Sequence, residues 1–199
     1  KLLPLMLLPL LLKRIGFRKS MRFYFICGIT TVLLFAAFID KQFIGNILSS
    51  VGLYFQSFEF NASIFYIVRW AGFETLGYDV ILKAGIILSL IAMLGIFSIA
   101  IFQKGKDVGS IFPAMLLCLT IYFAFATTVH PWYISTLVAL SVFTTFRFPL
   151  LWSGLITLTY FTYRSVPYSE SLVLVTIEYI FLCGFIVYEG NGNREQTLL

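Results

Sequence analysis

The chain has 199 residues, 60% hydrophobic and 12% charged, with a formal net charge of +5. A water-soluble domain carries roughly 25% charged residues, so this chain lacks the polar surface to be one. The basic excess is too small for a nucleic-acid surface and has to be read by location.

Repeated apolar runs near the length of a membrane span mark an integral membrane protein. Lys1 opens directly into Leu2–Leu12, which is too short to span alone. No basic segment with a small-residue cleavage site accompanies it, so it does not read as a signal peptide. The expectation is a fragment that begins inside a membrane helix of a longer protein.

Next come Lys13, Arg14, Arg18, Lys19 and Arg22 with no acid among them. By the positive-inside rule this connection is cytoplasmic. A second helix is expected over about Phe23–Ile39, delivering the chain to the outer side at Asp40-Lys41. Segment 40–79 then stays outside the membrane. Phe43, Ile47, Val51, Tyr54 and Phe55 recur at spacings of three and four, and Ile64, Phe65, Val68 and Phe73 do something similar. Both patterns predict short amphipathic helices at the interface, the second ended by Gly72 and Gly77.

Further helices are predicted over about Val80–Phe102, Ser110–Thr127, Trp132–Phe146, Leu150–Tyr163 and Ser171–Tyr188. The expected fold is an all-α polytopic transmembrane bundle of about seven membrane helices, the first truncated. It forms a single transmembrane domain over 1–199, with outer loop 40–79. Alternating crossings put nine of the Lys and Arg residues inside and five outside.

The outer side collects the candidate chemistry. Thr127-Thr128-Val129-His130-Pro131-Trp132-Tyr133 holds the only histidine. His130 can hydrogen-bond a phosphate or serve as acid or base near neutral pH. Trp132 and Tyr133 offer faces for a sugar or an isoprenoid, and equally fit an interfacial anchor. Pro131 suits the first turn of a helix. Arg69 and Arg164 can grip an anion or snorkel to headgroups. Glu59, Glu74 and Asp79 are loop carboxylates. Asn61, Tyr168 and Glu170 complete the set.

Glu178 sits within an apolar helix, where an ionisable group must face protein or water. Hydroxyls of Thr157, Thr159 or Tyr160 are its expected partners, and a proton or ion path is the alternative. Cys27, Cys118 and Cys183 form no CxxC pair and read as buried apolar side chains. No Walker, zincin or serine-hydrolase motif occurs.

Three runs carry a resemblance: LYFQSFEFNASIFY (Leu53–Tyr66), Val129-His130-Pro131-Trp132-Tyr133, and Arg147-Phe148-Pro149-Leu150-Leu151-Trp152. Together they resemble the C-terminal half of bacterial GT-C superfamily glycosyltransferases, most nearly those dependent on polyprenyl-phosphate-mannose. The resemblance implies an inverting enzyme of the bacterial cytoplasmic membrane. It would move a sugar from a polyprenyl-phosphate donor to a glycan or lipid-linked acceptor at the extracytoplasmic face. The family's catalytic carboxylate lies in a first outer loop, here expected upstream of Lys1. What remains is the donor-binding half. His130 and Arg164 would stand near the phosphate and Trp132 and Tyr133 at the entrance. Glu59, Asn61 and Arg69 would lie in a loop acting as a lid. Some relatives use a divalent cation, but no metal cluster or other cofactor signal is visible in this sequence. Two other readings stay open: a transporter or flippase working through Glu178, although no internal repeat is visible, and a non-catalytic membrane scaffold.

Overall fold

A computed structural model describes residues 3–56, 58–103, 105, 107–164, 166 and 169–197, leaving aside the side chains of 53–56 and 193–197. Expectations on Lys1, Lys104, Lys106, Tyr168 and the side chains of Tyr54, Phe55 and Arg194 fall outside the described residues.

Among the described residues every regular element is a helix, with one isolated bridge between Phe60 and Thr128. A 3-10 turn, Leu3–Leu7, precedes α1 (Pro9–Ile15). Then follow α2 (Phe17–Phe35, with a 3-10 turn to Phe38), α3 (Lys41–Gln56), α4 (Ile64–Leu76), α5 (Ile81–Phe102) and α6 (Ile111–Phe125). The last are α7 (Pro131–Ser141), α8 (Phe148–Leu155, continued as a 3-10 helix Ile156–Arg164) and α9 (Leu172–Thr197).

Among the described residues, three helical stretches are long and apolar enough to cross a membrane: Phe17–Phe38, Ile81–Phe102 and Leu172–Gly192. The other helices are shorter than the roughly 20 residues a span needs. α6 has 15 residues and α7 has 11. α8 has eight, but its 3-10 continuation rises faster per residue, so the two together reach about 30 Å. Large apolar side chains stand exposed along α2, α5 and α9, a surface that fits lipid rather than water.

The basic connection differs from expectation. It is not a loop: α1 and α2 are both helical up to Gly16, whose φ of 81° and ψ of 156° make the whole turn. Lys13 Nζ donates to the carbonyls of Ile101 (2.9 Å) and Gln103 (2.7 Å). Arg14 donates to the Asp107 carbonyl (2.6 Å), Gln103 Oε1 and Ser110 Oγ. These bonds satisfy carbonyls that the end of α5 leaves open. They tie the α1–α2 turn to the α5–α6 turn at one end of the bundle.

Segment 40–79 does contain two helices, α3 and α4. Asp40 caps α3 through the Phe43 N–H (2.6 Å), and Asp79 accepts from the Ile81 N–H (2.9 Å) at the start of α5. Gly77 ends α4 at a φ of 75°, whereas Gly72 lies inside it. Gly72 is there for contact: a Cβ would come within 2.7 Å of the Val80 methyls. This close approach presses α4 onto α5, where Ala62, Phe65, Val80, Ala84 and Leu88 form a buried cluster. The main core joins α6, α7, α8 and α9 around Phe123, Ile134, Leu137 and Trp152. Asp79 and Gln103 bracket α5, so the ends they mark are about 33 Å apart.

Candidate functional site

The site is built where segment 58–63 lies against the α6–α7 turn. The Phe60 N–H donates to the Thr127 carbonyl (3.0 Å) and the Val129 N–H to the Phe60 carbonyl (2.8 Å). Thr128 Oγ1 donates to the Phe58 carbonyl (3.0 Å), and Ser63 Oγ to the Ala124 carbonyl (2.8 Å). An extended segment with buried polar backbone must find such partners. The α6–α7 turn and the last turn of α6 supply them.

Asn61 is the pivot. It is fully buried and holds a φ of 46°, a left-handed conformation that asparagine reaches more readily than other non-glycine residues and that its surroundings can fix. Here three groups do so. Its N–H donates to Glu170 Oε1 (2.6 Å). Its Nδ2 donates to Glu178 Oε1 (3.1 Å). Its carbonyl accepts from the Tyr179 hydroxyl (2.8 Å). Trp152 Nε1 also donates to Glu178 Oε1 (2.9 Å). Glu178 therefore has partners other than the expected hydroxyls. Thr157 and Thr159 instead bond the carbonyls of Gly154 and Ile156, three residues back in their own helical turns. Glu178 lies six residues, or about 9 Å, into α9, close to where the expected helix places it. That depth brings it to the loop.

On the other side of Phe60 is an aromatic group. The His130 ring is 5.0 Å from Phe60 and 4.3 Å from Trp132, stacked on the latter at 13°. Tyr133 meets His130 edge-on at 5.3 Å. His130 precedes Pro131, which opens α7 as expected. Tyr133 is buried, while Trp132 keeps 55% of its surface exposed. Tyr163, next to Arg164, lies 6.2 Å from Phe60. Arg164 itself is exposed, with its guanidinium 5.2 Å above the Phe161 ring.

Arg69 and Glu59 do not stand apart as separate groups. They form an ion pair, and Asp79 Oδ2 is 3.9 Å from Arg69 Nε. Burial raises the Glu59 carboxyl above the usual range. Arg69 opposes this, and the carboxylates of Asp79 and Glu170 add to it. Glu170 accepts from Tyr66 as well as from Asn61. Burial raises its carboxyl too, against the pull of both bonds. Tyr66 is pushed upward by burial and then by Glu170.

Beside this cluster runs a lateral apolar groove of about 590 Å³, bounded by α4, α6, α8 and α9. Tyr66, Trp152 and Tyr179 line it together with Ile67, Ile180 and Ile186. Its lining does not include Glu178 among the described residues. No group of three or more His, Cys, Asp or Glu side chains is disposed to hold a metal ion among the described residues.

The structure thus joins His130, Trp132 and Tyr133 to Asn61 and Glu178 through Phe60, and pairs Glu59 with Arg69. Arg164 lies on the flank. Sequence reasoning assigns no role to Phe60, Tyr66, Trp152 or Tyr179. Trp152 and Tyr66 belong to the runs that carry the family resemblance, and Tyr179 adjoins Glu178, so each carries a weak signal. Comparison of the chain with protein-family models, curated proteins and solved structures finds no match.

Proposed function

We propose that this chain is the donor-binding part of a membrane glycosyltransferase of GT-C type. It takes a sugar, mannose in the first instance, from a polyprenyl-phosphate carrier at the extracytoplasmic face of a bacterial cytoplasmic membrane and passes it to a glycan or lipid-linked acceptor. In this reading α6, α7, the continuous α8 segment and the truncated first helix before Gly16 bring the crossings of the three long helices to about seven.

One observation carries the reading. Segment 58–63 is bonded to the His130 turn on one side and to α9 on the other, beside a lateral apolar groove. A lipid-linked sugar needs such a combination: an apolar channel for the chain and an aromatic and polar seat for the head. In the proposal, His130 hydrogen-bonds the phosphate, the exposed face of Trp132 receives the sugar, and Arg164 supplies positive charge. Transport through Glu178 is less well supported, because its Oε1 accepts from both Asn61 and Trp152 and its side chain is fully buried.

The test is transfer from radiolabelled polyprenyl-phosphate-mannose by the full-length protein in proteoliposomes. His130→Ala at normal expression lowers transfer about tenfold or more, as expected for loss of a hydrogen bond to a charged group. Wild-type rates in that variant remove His130 from the site. Substrate movement abolished by Glu178→Gln, with His130→Ala silent, gives the function to transport instead.

A further inference from the structure

Glu178 is about two turns inside an apolar helix, and nothing in the proposed transfer reaction uses it. Its Oε1 nevertheless receives two buried N–H donors, Asn61 Nδ2 and Trp152 Nε1. Trp152 is fixed in the main core. Asn61 is the residue held at a positive φ, and it directly follows Phe60, the residue against which His130 packs. A continuous chain of contacts therefore runs from the core through Trp152, Glu178, Asn61 and Phe60 to His130.

We propose that Glu178 is a positioning residue for the His130–Trp132 site. It anchors the Asn61 side chain and so keeps Phe60 in register with Thr127 and Val129. The proposal rests on the donor-site reading for its purpose, but the linkage itself needs no substrate. Glu170 and Tyr179 hold the backbone of Asn61. Glu178 alone among the three holds its side chain, so the side chain is where the anchor can be tested by exchange. With Asn61→Asp, the amide donor is lost and two carboxyl groups face each other. With Asn61→Asp and Glu178→Gln together, the amide moves to α9 and the carboxylate to the loop. Both native bonds end on Oε1, so the transplanted amide keeps its oxygen on Trp152 and turns its nitrogen toward the new acid.

The readout is Trp132 fluorescence in a Trp70→Phe background, titrated between about pH 5 and 8, where histidine ordinarily changes charge. An imidazolium stacked on an indole quenches it, so the titration amplitude reports the His130–Trp132 stack. His130→Gln introduced into each background gives the zero and subtracts the Trp152 signal, which itself senses Glu178 through Nε1. The amplitude falls about fivefold in Asn61→Asp, the scale set by loss of a buried polar bond, and recovers in the double variant. An unchanged amplitude in Asn61→Asp overturns the proposal. So does a double variant that folds but shows no recovery, or one that fails to fold. The double variant decides the matter even where the single one does not fold. Failure here leaves the transferase reading to its own transfer assay, and a negative transfer assay leaves this linkage standing.

Discussion

The imidazole of His130 lies flat against the indole of Trp132, with ring centres 4.3 Å apart and planes 13° from parallel. The two residues are separated only by Pro131, which opens α7. The proline fixes the local backbone, so the stack is built into the turn. Aromatic pairs contribute about 0.5–1.5 kcal/mol beyond the area they bury. A double-mutant cycle of His130→Ala and Trp132→Leu on unfolding is expected to give a coupling in that range. Trp132→Phe retains most of it. A coupling near zero means that the rings are neighbours without interaction.

Glu170 makes the cluster around Asn61 sensitive to pH. Burial raises its carboxyl above the ordinary glutamate value of 4.5, and bonds from Tyr66 and Asn61 only partly offset this. The folded state thus holds the proton more tightly than the unfolded state. The associated stability is fully present below about pH 4.5 and is lost as pH rises through the folded value. Glu59 shifts in the same direction. Thermal unfolding in detergent is expected to show a midpoint that falls from about pH 4.5 upward, with a shallower slope in Glu170→Gln. Tyr66→Phe removes one bond that holds the carboxyl down, so the fall extends to higher pH. A midpoint that rises across this window contradicts the assignment.

Arg69 and Arg164 should behave differently despite their shared charge. Arg69 is already engaged by Glu59 and Asp79, with about a third of its side chain exposed. Such a pair contributes roughly 0.2–1 kcal/mol. Arg69→Ala is therefore expected to lower stability by up to about 1 kcal/mol and to change donor affinity little. Arg164 is exposed above Phe161. Arg164→Ala is expected to leave unfolding unchanged and to raise the KM for an anionic lipid donor about tenfold, the scale of one charge-assisted bond. Measuring both quantities for both variants separates the roles. The reverse pattern would exchange them.

Much of the frame is legible in local sequence. The three- and four-residue spacing in 40–79 predicts α3 and α4, and the Gly77 stop and Pro131 start are where local chemistry puts them. The lengths of the later helices are not legible. From Ile156 the chain tightens to a 3-10 helix through Ile156, Thr157 and Thr159, residues that favour α-helix only weakly. Hydropathy is blind to that change of pitch. Least legible is Asn61. Its partners are 109, 117 and 118 residues away. Periodicity holds no information about contacts at that separation. For the same reason chain order points Glu178 to hydroxyls of the preceding helix, whereas one of its partners lies in the loop.

The opposite end of the bundle offers the simplest test of the fold. Gly16 alone separates α1 from α2, at a φ of 81° and a ψ of 156°, a region of backbone space essentially closed to other residues. A Cβ there would meet nothing within 4 Å, so crowding is not the obstacle and only the backbone conformation is. Gly16→Ala is expected to cost about 1–3 kcal/mol. It should also loosen the bonds from Lys13 and Arg14 to the end of α5, because those side chains reach α5 from the last turn before Gly16. Gly28 is the matched control. It lies inside α2, and its Cβ would likewise meet nothing, so Gly28→Ala is expected to stabilise the helix by about 0.5–1 kcal/mol. Unfolding midpoints of the two variants should move in opposite directions. If Gly16→Ala matches or exceeds the wild type, the turn is not held in the left-handed region, and the tie between the α1–α2 and α5–α6 turns has to be rebuilt on another geometry.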